Sequence, residues 1–206
     1  MAPRELATAP NLLTVSRVLL VPVIVALLYV DDAWAHYAAC GLFVLAACTD
    51  YADGYLARAR KLHSAFGRWL DPVADKLLVA AVVVTLVGFD RAPLLPSLVI
   101  VLREIMVSGL REYMAEVAVG MPVSRLAKWK TAVQMTAIGF LMVGDAAPAA
   151  VPAQTIGELG LWLAALLTLV TGFDYLRTGL GHMLRPRPAG KAGGRGVVRE
   201  ERVGTG

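Results

Sequence analysis

Apolar residues run through this chain in long blocks separated by short polar connections. The first block, from Leu12 to Val30, is mostly apolar and closes on Asp31 and Asp32. Others run from about Trp34 to Ala57, from about Trp69 to Gly88, from Leu94 onward, from about Thr131 to Val143 and from about Ile156 to Leu180. With a rise of about 1.5 Å per residue, about 20 helical residues cross the ~30 Å hydrocarbon core of a bilayer. The pattern predicts an all-α integral membrane protein with six transmembrane helices, filling residues 1–184 as one membrane domain. Residues 185–206 are rich in Pro, Gly and basic side chains, which predicts a disordered basic tail.

Composition agrees with this reading. Of the 206 residues, 57% are hydrophobic and only 17% charged, and the mean hydropathy is +0.62. The net charge of +4 and pI near 9.3 invite a nucleic-acid reading, but the basic residues stand at the ends of apolar blocks. No aromatic-interleaved basic stripe is present, so nucleic acid is excluded as the expected partner. Their distribution orients the chain instead. Arg4, the group Arg58, Arg60, Lys61 and Arg68, the group Arg125, Lys128 and Lys130, and the run from Arg177 onward fall on alternate connections. The opposite connections hold Arg91 alone. Positive residues collect on the cytoplasmic side, so both termini are expected there. Cys40 and Cys48 share one apolar block and read as reduced packing residues. No small-residue cleavage site follows a short apolar core near the N-terminus, so no cleaved signal peptide is expected.

Four aspartates disturb the apolar pattern. Asp50, Asp53, Gly54 and Ala57 stand at i, i+3, i+4 and i+7, one face of a helix; Gly67, Asp71 and Asp75 follow at successive i+4 steps on the next. A short connection makes these two helices expected antiparallel neighbours with their carboxylates opposed. The orientation above puts all four in the cytoplasmic half of the membrane. An ionised aspartate inside a membrane helix costs about 2.5 kcal/mol or more, and clustered carboxylates repel unless cations intervene. Oxygen-only ligands suit Mg²⁺ or Mn²⁺ rather than zinc. Two such ions can clamp a pyrophosphate, with Arg58, Arg60 and Lys61 at the mouth for further phosphate charge. For a single aspartate, pairing with Arg58, Arg68 or Lys76 as an interfacial residue is the alternative.

The full pattern D-x2-D-G-x2-A-R-x8-G-x3-D-x3-D, complete from Asp50 to Asp75, resembles the signature of the CDP-alcohol phosphatidyltransferase family. The resemblance implies a six-helix membrane enzyme, commonly a homodimer, that displaces CMP from a CDP-linked lipid with an alcohol. It implies that Asp50, Asp53, Asp71 and Asp75 hold two divalent metal ions and that Asp75 is also the general base. It further implies that Thr14, Gly54, Ala57, Arg58, Ser64 and Gly67 receive the cytidine nucleotide of CDP-diacylglycerol. Pro10 to Arg17, Leu70 to Lys76, Arg103-Glu104-Ile105, Ser108 to Glu112 and Lys128 to Thr131 are similar to the bacterial branch whose acceptor is sn-glycerol 3-phosphate. That places the protein in the bacterial inner membrane, multi-pass, with its active site facing the cytoplasm and membrane lipid around it.

The residues agree with that acceptor in kind. Arg103 and Arg111 lie close to one face of the fourth helix, where intramembrane cations need an anionic partner. Lys128 would join them from the start of the fifth span, making a cationic pocket for a phosphorylated acceptor. The other reading pairs these arginines with Glu104, Glu112 or Glu116. Arg17 is either a snorkelling cation or part of the nucleotide side. Two rival functions remain open at this stage: a sister enzyme using serine, an inositol phosphate or phosphatidylglycerol, and a cation transporter with midplane carboxylates.

Overall fold

The computed structural model describes residues 9–60, 65–117, 119–120 and 125–183, with their side chains except those of 9–11, 50–60, 65–69, 71 and 182–183. Among the described residues the chain forms six long helices and no strand: α1 (Ala9–Leu28), α2 (Ala33–Arg60), α3 (Ala65–Gly88), α4 (Leu94–Glu116), α5 (Arg125–Val143) and α6 (Ala153–Met183). A 3-10 turn at Gly144–Ala146 joins the last two. Each apolar block is a helix, but the helices outrun the blocks where the aspartates lie. α2 continues to Arg60, α3 starts at Ala65 and α5 at Arg125. Polar residues close i→i−4 hydrogen bonds as well as apolar ones do, so hydropathy marks only the part of each helix suited to a bilayer core. The tail expected beyond residue 184 lies outside the described residues.

Among the described residues α6 is the helix whose length and apolarity suffice by themselves for a membrane crossing, over the 29 residues Ala153–Gly181. Apolar stretches in α1 and α2, Leu12–Leu28 and Ala33–Thr49, are shorter. Charges interrupt α3 (Asp71, Asp75, Lys76) and α4 (Arg103, Glu104, Arg111, Glu112). The outer surface carries the same message as α6. Leu12, Leu19 and Val23 of α1, Leu94, Leu98, Leu102 and Ile105 of α4, and Leu159, Leu166, Leu169 and Phe173 of α6 are all exposed. Apolar exposure on this scale is costly in water and costs nothing in lipid.

α1 packs against both α2 and α3, α5 against α2 and α6, and α4 against α3 and α6. The spacing of the aspartates predicted α2 and α3 as direct neighbours. Among the described residues α1 lies against both, with Thr14, Arg17, Ile24 and Leu28 on its buried face; the side chains at the aspartate-bearing ends of α2 and α3, where that pairing was expected, lie outside the described residues. α5 and α6 run antiparallel, with Gly157 against Leu141 and Gly160 against Ala137. α4 and α6 run parallel, with Gly172 against Arg103 and Gly179 against Leu110. Ile24, Phe43, Leu86, Ile100, Ile138, Leu141 and Leu161 form the fully buried centre of an apolar core. That core fills the half of the bundle away from the aspartates. Its outer end is tied by hydrogen bonds: Arg91 Nη1 donates to His36 Nε2 (3.1 Å), Gln154 Nε2 to the Arg91 carbonyl (2.7 Å) and Tyr37 Oη to the Ala146 carbonyl (2.9 Å). Among the described residues, the other half buries Arg17, Arg103 and Lys130 beside apolar Val107 and Met114.

Candidate active site

Asp75 is the signature aspartate whose side chain the structure describes. Arg17 Nη1 donates to its Oδ1 at 2.8 Å, with the arginine side chain 2% exposed and the aspartate 45%. Periodicity puts Arg17 there: Thr14, Arg17, Ile24 and Leu28 repeat at i, i+3, i+10 and i+14, the inward face of α1. A guanidinium so deeply buried is tolerated only with an anionic partner. Arg17 therefore turns inward onto Asp75, and the snorkelling reading of this residue is set aside. Thr14, expected on the nucleotide side, is buried one turn earlier on the same face.

The other signature positions are placed as backbone. Asp50, Asp53, Gly54, Ala57 and Arg58 lie in the last turns of α2, and Gly67 and Asp71 in the first turns of α3. Their side chains, and Ser64 altogether, lie outside the described residues. Among the described residues, which include the side chain of Asp75 but not those of the other three aspartates, no three His, Cys, Asp or Glu side chains come together as a metal site. The donor set itself, four carboxylates with no imidazole or thiolate among the signature positions, fits a hard divalent ion.

A second polar cluster sits where α4, α5 and α6 meet. Arg103, 8% exposed, donates through Nη1 to Glu104 Oε1 (3.2 Å) and through Nη2 to Thr171 Oγ1 (3.1 Å). Its guanidinium carbon lies 5.6 Å from the centre of the Tyr175 ring, and that of Arg111 lies 5.9 Å from the same ring. Gly172 makes room for Arg103: a Cβ there would stand 3.1 Å from Arg103 Cγ. Glu104 Oε1 also accepts from Lys130 Nζ. Two buried cations thus share one carboxylate. Arg103 Nε, Gln134 Oε1 and Thr168 Oγ1 are buried with no hydrogen-bond partner among the described residues. Leaving such a group unsatisfied costs about 1–3 kcal/mol; of the three, the Arg103 Nε–H is a cationic donor free for an anionic ligand, whereas Gln134 Oε1 can only accept.

Two expectations change here. The lysine that joins the arginines is Lys130, 3% exposed, and not Lys128, which is exposed. The repeat Lys130, Gln134, Ala137, Leu141 at i, i+4, i+7 and i+11 marks the buried face of α5, and Lys128 falls off it. Arg103 does pair with Glu104, as the internal-salt-bridge reading held, but that pairing is shared with Lys130 rather than closed. Thr171 and Tyr175 were missed altogether. They extend the buried face Leu161, Ala164, Thr168 of α6 at the same heptad-like spacing, so the periodicity of an apolar helix contained the signal. Lys76 was read only as a possible counter-ion. Its Nζ donates to the Pro72 carbonyl of its own helix at 2.7 Å.

Comparison with known proteins follows the same lines. A family model described as CDP-alcohol phosphatidyltransferase matches residues 7–170. The chain is 45% identical over 168 residues to the CDP-diacylglycerol–glycerol-3-phosphate 3-phosphatidyltransferase of Rickettsia typhi, covering 82% of this chain and 94% of that one. With the protein of the same description from Cereibacter sphaeroides it is 39% identical over 212 residues, covering 84% and 96%. It is also 39% identical over 194 residues to a cardiolipin synthase (CMP-forming) of Oryza sativa subsp. japonica, covering 85% of this chain and 58% of that one.

Proposed function

The chain belongs to the CDP-alcohol phosphatidyltransferase family, and from that premise we propose that it makes phosphatidylglycerophosphate, transferring the phosphatidyl group of CDP-diacylglycerol to sn-glycerol 3-phosphate. The acceptor hydroxyl oxygen attacks the lipid-side phosphorus, the bond from that phosphorus to the bridging oxygen breaks, and CMP leaves with the electron pair. Asp75 takes the hydroxyl proton on its carboxylate. Arg17 fixes that carboxylate through Oδ1, which orients the remaining oxygen without a free side-chain rotation. Two divalent ions held by Asp50, Asp53, Asp71 and Asp75 would supply the positive charge that the diphosphate needs as CMP departs. Thr14, Gly54, Ala57, Arg58, Ser64 and Gly67 form the nucleotide side.

Arg103 and Lys130, with Arg111 at the rim, hold the acceptor's phosphate. One observation carries the choice of acceptor: Arg103 and Lys130 are both buried and share a single carboxylate, which leaves positive charge for a second anion. An uncharged acceptor gives those residues nothing to bind. The similarity to a CMP-forming cardiolipin synthase keeps a different acceptor as the second reading, because the signature from Asp50 to Asp75 does not itself select an alcohol.

Six membrane crossings with both termini cytoplasmic, and a homodimer in the bacterial inner membrane, complete the reading; the alternating Lys/Arg distribution supports the orientation. The test is CMP release by the protein in detergent with CDP-diacylglycerol, Mg²⁺ and a panel of acceptors. Turnover with sn-glycerol 3-phosphate, lost in Asp75→Asn, is the expected result. CMP release with serine or phosphatidylglycerol alone would overturn the acceptor, and none with any alcohol would overturn the reaction.

A further inference from the structure

Glu104 is the member of the acceptor cluster that transfer chemistry does not call for, and its geometry is unusual for a structural counter-ion. It follows Arg103 directly in α4, and neighbours at i and i+1 on a helix point in different directions. Its side chain nevertheless bends to Arg103 and reaches Lys130 on α5. Both cations contact the same oxygen, Oε1. The cations are sealed, with side chains 9% and 4% exposed, but the carboxylate is 27% exposed and has a way out. Arg103 Nε meanwhile stays buried with no acceptor among the described residues. One carboxylate oxygen is a poor match for a five-donor guanidinium and an ammonium together, whereas a phosphate offers three terminal oxygens.

We propose that Glu104 is an internal stand-in for the acceptor's phosphate: it neutralises Arg103 and Lys130 in the empty pocket, and a phosphate group binds by displacing it. The inference rests on the reading of this cluster as the acceptor pocket. Displacement turns the Glu104 carboxylate outward along its exposed side, where water takes over its solvation. The exchange has two effects. It spares the empty enzyme a pair of unpaired buried cations, which would be strongly destabilising. It also selects the acceptor, because only a multiply charged anion competes with a carboxylate already in place, and an uncharged alcohol leaves the pocket shut. The selection lowers affinity, since part of the phosphate's binding energy is used to move Glu104.

The test uses the full-length enzyme and inorganic phosphate as the probe, measured as a competitive inhibitor against sn-glycerol 3-phosphate in the CMP-release assay. In Glu104→Gln the competing charge is gone, so the inhibition constant for phosphate and the KM for the acceptor both fall, by about tenfold, while kcat does not rise. Glu104→Asp, which draws the carboxylate back by one methylene, moves both constants the same way by a smaller factor and serves where the glutamine variant does not fold. Phosphate competing equally well in wild type and variants, or more weakly in the variants, overturns the displacement and leaves the pocket standing. Phosphate failing to compete in any of them overturns the displacement and the acceptor pocket together.

Discussion

Arg17 and Asp75, 58 positions apart in the chain, are joined by a 2.8 Å hydrogen bond from a guanidinium that is almost wholly buried to a carboxylate that is not. The asymmetry gives the two residues different jobs. Arg17 is held by the packing of α1, whereas the Asp75 side chain is 45% exposed. The bond ties α1 to the last aspartate of the signature although α1 itself carries none of the signature residues. Arg17→Ala is expected to lower kcat by about 100-fold, the scale of a misplaced reacting group, with Arg17→Lys recovering part of the loss. CMP release at saturating substrates measures this, and a kcat within threefold of wild type in Arg17→Ala would sink the positioning role.

Lys130 and Lys128 differ by two residues and by almost everything that matters for binding. Lys130 is buried on Glu104; Lys128 is exposed. Lys130→Ala should raise the KM for sn-glycerol 3-phosphate by tenfold or more, at about 1.5–3 kcal/mol for a lost charge-assisted hydrogen bond. Lys128→Ala should stay within about twofold, as exposed substitutions usually do. Equal effects of the two substitutions would mean that burial does not identify the pocket.

The fold was legible because each helix carries a long apolar block, so block length and hydropathy located all six. Helix ends were less so, since Arg58, Arg60 and Arg125 continue helices without being apolar. Of the signature aspartates the structure describes the side chain of Asp75, and its partner Arg17 could be placed only once the buried face of α1 was known. The acceptor cluster was only partly legible, for a physical reason. Arg103 stands out as a charge in an apolar block, whereas Thr171 and Tyr175 are common residues of membrane helices and gain meaning only when α6 is laid parallel to α4. The choice between Lys128 and Lys130 needed the rotational phase of α5, which its flanking Ala and Gln residues define more clearly than its charges do.

Two glycines of α6 separate packing from function. A Cβ at Gly160 would come within 2.9 Å of Ala137 Cβ, and one at Gly172 within 3.1 Å of Arg103 Cγ. Gly160→Val pushes α5 from α6 and should lower the melting temperature in detergent, at about 1–3 kcal/mol for overpacking, without changing acceptor KM in the folded fraction. Gly172→Val should do the reverse, displacing the Arg103 stem and raising acceptor KM several-fold at little cost in stability. The same readouts on both variants decide whether Gly172 is there for the helix contact or for the arginine.

The metal requirement follows from the ligand chemistry of Asp50, Asp53, Asp71 and Asp75. Chelation with EDTA should abolish CMP release, with Mg²⁺ or Mn²⁺ restoring it and Ca²⁺ failing to, because Ca²⁺ prefers six to eight ligands at longer distances than a compact carboxylate site provides. Activity alone would not show that the ions sit at these aspartates. Mn²⁺ bound to the protein should broaden in paramagnetic resonance when added to wild type, and Asp50→Asn or Asp71→Asn should weaken that binding. Arg103→Ala, in the other cluster, should leave Mn²⁺ binding unchanged while raising acceptor KM. Loss of Mn²⁺ binding in Arg103→Ala would show that the two clusters act as one site, contrary to the separate roles drawn here from Asp75 on α3 and Arg103 on α4.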